Sequence, residues 1–268
     1  MTVPEFRKII WAHYKKHGRH DLPWRKTHDV YKILVSEVML QQTQVERVIP
    51  FYTKFIKKFP TAKKLAAARL SAVLVAWQGL GYNRRAKMLR AAAASLSSGK
   101  LNSPRSAEEL EKLPGAGPYT ARAVAAFAWN KDEVFIETNI RTAVIHHFFP
   151  KRKKVSDADI EKILTQALPK GRAREWYSAL MDYGASLKKA GVSHNAKSAA
   201  YAKQSKFAGS LREARGAILR ALAQGAASPA RLVGLLGPGR RAQMRTALRA
   251  LYAEGLVGKN GGNYTLAG

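Results

Sequence analysis

Between residues 4 and 188, apolar side chains recur three and four positions apart in runs of helical length, and few stretches alternate as a half-buried strand would. That spacing gathers the apolar residues of each run on one helix face, so the chain is constrained to an all-α class, or nearly so. Helices are expected at 4–16, 30–45, 49–58, 70–78, 84–97, 107–112, 119–129, 139–148, 157–167 and 174–188. The pattern then lapses into Lys, Ser, Ala and Asn, which reads as a basic linker at 188–212. Helices resume at 213–224 and 240–254, and between them Ser228 caps a further helix that opens on Pro229. At the end, two apolar runs flank Asn260-Gly261-Gly262, a hairpin signal. Three helices and a hairpin make a winged-helix-like module of 213–268; a small helical cap packed on the first domain fits the same pattern.

Charge narrows the partner. The 268 residues carry 47 Lys and Arg against 18 Asp and Glu, a formal +29. A surface so basic seeks a polyanion, and nucleic acid rewards clustered cations by releasing its counterions. A membrane is the rival, yet no apolar run reaches the ~18 residues a span needs, and no signal peptide is visible. A cytoplasmic, nucleoid-associated protein is expected. There is no cysteine, which excludes disulfides, thiolate nucleophiles and cysteine-held zinc or iron-sulfur centres. Of the seven histidines, His146 and His147 are adjacent and would point about 100° apart on a helix, so no metal site is expected.

The most specific local chemistry lies at 113–121, LPGAGPYTA. Gly115 and Gly117 let the backbone turn sharply and approach a ligand, and Pro118 presets the next helix. The free N–H groups of that helix start form an anion site that reads charge rather than sequence, which suits a DNA phosphate. An ordinary Gly-Pro turn would have the same glycine spacing.

This segment resembles the helix-hairpin-helix signature of the endonuclease III and adenine glycosylase superfamily of DNA glycosylases. The run 36–45, SEVMLQQTQV, resembles the adenine glycosylases nearly letter for letter, and Leu22-Pro23-Trp24-Arg25 precedes it as in that family. Gly79-Leu80-Gly81-Tyr82 and Met181-Asp182-Tyr183-Gly184-Ala185 follow in the family's order. The resemblance covers residues 1–187. It implies a two-lobed fold, with a six-helix lobe at 28–130 and a second lobe from 1–27 and 131–187, ahead of the linker and the C-terminal module. It implies monofunctional excision of a mispaired base, adenine opposite guanine or 8-oxoguanine, from double-stranded DNA by a monomer. A thymine or uracil glycosylase acting opposite guanine, and a non-catalytic DNA-binding protein on the same scaffold, are the other readings.

Glu37 sits in a run that is apolar around most of its circumference, with Ile33, Leu34, Leu40 and Gln41 at helical spacing. Burial there raises a carboxyl pKa and suits a general acid; pairing with one of the many cations is the alternative. In the resembling family this glutamate protonates the extruded base, and a second carboxylate steadies the oxocarbenium-like sugar. Glu137 stands at that second position, one methylene longer than the family's aspartate, with Thr138 in place of glycine. Tyr119 stands where bifunctional relatives carry a Schiff-base lysine, which implies no efficient lyase. By resemblance, Trp24, Arg25, Asn139 and Ser178 surround the base, while Gln41, Gln42, Leu80 and Tyr82 plug or wedge the duplex; plain core packing of Trp24, Leu80 and Tyr82 is the other reading. Gly115 and Gly117 grip the strand, and Lys188 and Lys203 supply phosphate contacts in place of the family's cysteine-held cluster, so no cofactor is expected. Ser178 is short where the family reads adenine with an amide or acid, which leaves the base open.

Overall fold

The computed structural model of the chain describes residues 1–98, 104–192, 194–198 and 206–268. These residues form fourteen α-helices and one two-stranded hairpin, in two compact units. Unit one comprises residues 1–37, 104–112 and 116–203; unit two comprises 38–103, 113–115 and 204–268.

In unit one, α1 (Val3–His17) starts with a reciprocal cap in which Thr2 accepts from Glu5 N–H and Glu5 accepts from Thr2 N–H. Helix α2 (Val30–Leu40) enters this unit as far as Glu37. It is joined by α7 (Ala107–Glu111), α8 (Pro118–Trp129), α9 (Thr138–Phe148), α10 (Asp157–Ala167) and α11 (Ala173–Lys189). Helices α1, α8, α9, α10 and α11 share a core that includes Phe6, Ile10, Phe135, Val144, Trp176 and Tyr177. Gly184 of α11 lies against the Asn139 carbonyl of α9 so closely that a Cβ has no room, which is why the Met181–Ala185 block needs glycine there. Beyond α11, Lys197 rests on this unit, with Val155 N–H donating to the Lys197 carbonyl at 2.9 Å and Lys197 Nζ donating to the Pro150 carbonyl. These two bonds hold the described part of the basic linker, at Lys197, on unit one. Lys203 lies outside the described residues.

Unit two holds α3 (Val45–Lys58), α4 (Ala62–Ala67), α5 (Leu70–Trp77) and α6 (Arg84–Ser97) with the C-terminal elements α12 (Leu211–Ala223), α13 (Pro229–Gly234), α14 (Arg241–Ala253), β1 (Val257–Asn260) and β2 (Asn263–Leu266). Ser228 caps α13 ahead of Pro229, and the hairpin pairs Val257 with Leu266 through a turn at Gly261, φ 57°, as the sequence leads one to expect. Lys87 Nζ donates to the Glu254 carbonyl at 2.6 Å and Gln78 donates to Leu219, so the winged-helix-like module is packed into this unit.

One boundary differs from expectation. Instead of one helix over 30–45, α2 stops at Leu40 and α3 begins at Val45, because Gln42 takes a left-handed φ of 55°. Helix α4 was not visible as a run of its own.

Candidate active site

Glu37, near the end of α2, is 4% exposed, and among the described residues no ion pair includes it. Its partner is Tyr119 of α8, whose phenol donates to Oε2 at 3.0 Å. Burial pushes the Glu37 carboxyl up to about 7; the Tyr119 hydrogen bond works against that shift, and the Glu137 charge adds to it. The Tyr119 hydroxyl is itself driven well above its usual range by burial and by the two carboxylates. Its ring stands edge-on to Phe135, with centroids 5.8 Å apart, which fixes its direction.

Glu137 caps α9. Its carboxylate accepts from Asn139 N–H at 2.6 Å and from Asn139 Nδ2 at 3.3 Å. Burial raises its pKa, while the Asn139 N–H and the charge of Lys188 oppose that rise. The helix-start role and a place in the electrostatics of Glu37 are thus held by one residue. Lys188, near the end of α11, is half-buried and acts on Glu137; burial lowers its own pKa and Glu137 restores part of it. Sequence reasoning expected this lysine at a phosphate; in the structure its charge also lowers the pKa of the second carboxylate.

Of the other residues expected around the base, Trp24 is 9% and Ser178 4% exposed. Arg25 is engaged by Asp182, donating to Oδ2 at 2.7 Å and Oδ1 at 2.9 Å, and by the Ser178 carbonyl. Arg19 meets the same carboxylate at 2.6 Å. Burial works to raise the Asp182 carboxyl, and the two arginines more than offset it, holding Asp182 below the usual range. Arg25 is therefore a brace between the N-terminal stretch and α11. Asp182 was missed as its partner because 157 residues separate them.

In the turn before α8, Gly115 has φ 80° and its Cβ position is blocked by Met88, so glycine is required. Gly117 is the N-cap of α8, extended and exposed, ahead of Pro118.

Unit two contains a cavity of about 460 Å³, bounded by Gln41, Gln42, Tyr82, Arg84, Gly115 and Arg212 among others. Gln42 and Tyr82 both hold left-handed backbone, φ 55° and 46°, conformations that persist only where the surroundings enforce them. Arg85 ties the segments that lead into both turns. Its guanidinium donates to the carbonyls of Val38, Met39 and Gln41 on one side and of Leu80 and Gly81 on the other. Leu80 is 5% exposed, so it contributes core and a carbonyl, and not a wedge. The Tyr82 ring lies beneath the guanidinium groups of Arg85 and Arg212, at 5.5 and 5.7 Å. Neither arginine stood out in the sequence, where both are two of many cations.

The helix-hairpin-helix relatives suggested by the motifs hold an iron-sulfur cluster, and the residues present do not fit one. There is no cysteine, and among the described residues just beyond α11 are His194 and Lys197. His194 lies 3.3 Å from His146, and Lys197 is bonded to a carbonyl. Among the described residues no three His, Asp or Glu converge as metal ligands.

Comparison with known proteins agrees with this geometry. Residues 35–170 match the model of the HhH-GPD superfamily base excision DNA repair proteins. The adenine DNA glycosylase of Mycolicibacterium smegmatis is 36% identical over 291 aligned residues, covering 100% of this chain and 97% of that protein. That of Buchnera aphidicola is 37% identical over 69% of this chain, which spans 53% of the relative's length. Among solved structures, a thermostable thymine-DNA glycosylase superposes with a TM-score of 0.58 at 25% identity, over 68% of this chain and 87% of that one. A non-covalent endonuclease III–DNA complex shares the fold, with a TM-score of 0.55 at 22% identity over 70% and 86% of the two chains. No helix among the described residues is long and apolar enough to cross a membrane. With the motifs, the fold and a full-length relative in agreement, the chain belongs to the HhH-GPD superfamily of base excision DNA repair proteins.

Proposed function

We propose that the chain is a monofunctional DNA glycosylase that extrudes a mispaired adenine, opposite guanine or 8-oxoguanine, and hydrolyses its N-glycosidic bond. The observation that carries this reading is Glu37: a buried carboxyl poised near neutrality and bonded to a phenol rather than a cation. Held protonated, it donates to a ring nitrogen of the extruded base, and the glycosidic bond then breaks with its electron pair leaving on the base. The sugar becomes cationic, and the Glu137 carboxylate, steadied by the Asn139 N–H, stabilises it until water adds at the anomeric carbon and gives up a proton, which restores the one Glu37 donated. Tyr119 offers no amine, so no Schiff base forms and the backbone is left uncut.

Gln42 and Tyr82 fill the gap left by the extruded base, and Gly115 and Gly117 present backbone N–H groups to phosphate. Extrusion costs a few kcal/mol and is cheapest at a mismatch. The names of the adenine glycosylase relatives support adenine as the base. The protein works as a monomer at the nucleoid and without a cofactor, so chelation and dialysis should leave excision intact.

A second reading keeps the chemistry and removes thymine or uracil opposite guanine; the thymine-DNA glycosylase neighbour favours it. Incubation with end-labelled duplexes carrying A, T or U opposite G, 8-oxoguanine or C, followed by alkali, separates the two. Strand breaks at A support the first reading, and breaks only at T or U replace it. Glu37→Gln should abolish breaks while duplex binding survives. A chain that binds but never yields an alkali-labile site would be a DNA-binding scaffold.

A further inference from the structure

The family match ends at residue 170, so it does not account for the module that closes the chain. From residue 206 onward there are ten Lys and Arg and only two acidic side chains. Both carboxylates are neutralised: Glu213 by Arg240 at 2.7 Å, and Glu254 by Arg215 at 2.6 Å. Part of the remaining charge is concentrated on one helix. On α14, Arg241, Arg245 and Arg249 are all exposed, and no ion pair among the described residues includes them.

Four-residue spacing places these three arginines and Tyr252 within an arc of about 80° along about 17 Å of helix. The adjoining side of the helix, Met244, Ala247, Leu248 and Leu251, is buried. Tyr252 is 49% exposed, and at this end Lys259 of the hairpin lies over the rings of Tyr252 and Tyr264 at 5.5 and 5.3 Å. The cationic edge of α14 thus continues onto the hairpin. Helix α14 itself holds no acidic residue. Like charges one turn apart destabilise an isolated helix; a polyanion laid along them removes that repulsion.

We infer that α14 and the hairpin form a second duplex-binding surface, in which Arg241, Arg245 and Arg249 contact successive phosphates and Lys259 extends the track. The ligand is the backbone of double-stranded DNA, bound without regard to sequence. Its role is to hold the enzyme on undamaged duplex between sites, apart from the grip at the base. The inference rests on the reading that the chain acts on duplex DNA, and its test does not depend on excision.

The test is fluorescence anisotropy of the full chain on an undamaged, labelled duplex, over a range of salt. Replacing all three arginines by Gln should weaken binding at least tenfold near ~100 mM salt and lower the slope of log K against log salt by about 2–3, since each lost phosphate contact removes about 0.9. A control triple on unit two, Lys54→Gln, Lys57→Gln and Lys63→Gln, removes the same charge from exposed positions elsewhere and should shift the slope by less than about one. Replacing the three arginines by Lys should retain the slope, which guards against misfolding, as does a matched circular dichroism melt.

Equal losses in the arginine and control triples would reduce the stripe to bulk charge and overturn the inference. An unchanged slope in the arginine triple would overturn it too, and would leave the stripe to an acidic protein. If no base is excised from any duplex and the arginine triple still loses slope, the glycosylase reading fails and this surface stands.

Discussion

The phenol of Tyr119 donates to the carboxyl group of Glu37 at 3.0 Å, across 82 residues of sequence, and it is the polar partner of a carboxyl otherwise shut away from water. A group held this way is a proton donor only while it keeps its proton. With Glu37 near 7, the single-turnover excision rate should fall about tenfold per pH unit above ~7.5, while the raised Glu137, needed ionised, sets a fall on the acid side. A flat profile from pH 6 to 9 would remove Glu37 from the chemistry.

The same burial acts on stability. The folded-state pKa of Glu37 is raised above its unfolded value, so its stabilising contribution is full below ~4.5 and lost as pH rises through ~7. At pH 8 the native state holds a buried charge at a cost of about 3 kcal/mol. Glu37→Gln should therefore raise the melting temperature at pH 8, with a much smaller gain at pH 5, while excision disappears. Loss of stability at pH 8 would show that the carboxylate is matched to its surroundings after all.

Tyr119→Phe separates hydrogen bonding from burial. The phenol lowers the Glu37 pKa, so its removal should move the alkaline limb of the rate profile upward and leave a folded protein whose substituted ring still packs on Phe135. Should the limb stay where it was, the bond seen here does not set the proton affinity of Glu37.

Arg85 connects two strained turns. Its planar fork reaches five carbonyls on the segments that carry Gln42 and Tyr82, which an ammonium group cannot span. Arg85→Lys should destabilise the fold by about 2–4 kcal/mol, as buried carbonyls lose their donors. Excision from mismatched duplexes should drop further than the melting temperature alone accounts for, because Gln42 and Tyr82 lose their backbone setting. Denaturant melts and single-turnover rates on the same samples check this; wild-type excision with a lowered melting temperature would confine Arg85 to stability.

How far the sequence carried the reading follows from the range of the forces involved. The C-terminal module was legible because its signals are local: Ser228 before Pro229 is a cap, and Asn260-Gly261-Gly262 is a turn. The burial of Glu37 was legible from its apolar helix, while the choice between a cation and a neutral partner was not, because Tyr119 lies 82 residues away. The end of α2 at Leu40 was not, since Val45 stands seven residues after Val38, at helical spacing, and the carbonyls at the helix end are bonded by Arg85, 45 residues after Leu40 in the chain. Asp182 looked like part of a motif, and only the fold shows it neutralising Arg19 and Arg25. Lys188 looked like one surface cation among many until α9 and α11 packed through Gly184.

That last lysine yields a prediction of its own. The charge of Lys188 lowers the pKa of Glu137 against the effect of burial, so it helps keep the second carboxylate ionised. Lys188→Met keeps the bulk of the stem and deletes the charge, and Glu137 should then hold its proton to higher pH. The acid limb of the excision profile should move upward, narrowing the bell from below while the alkaline limb, set by Glu37, moves little. A phosphate-binding lysine would behave otherwise: its loss would raise the duplex dissociation constant and flatten its salt dependence by about one unit of slope, with the profile at saturating enzyme unaltered. Measuring the pH profile and the salt slope on one preparation decides which of the two Lys188 is.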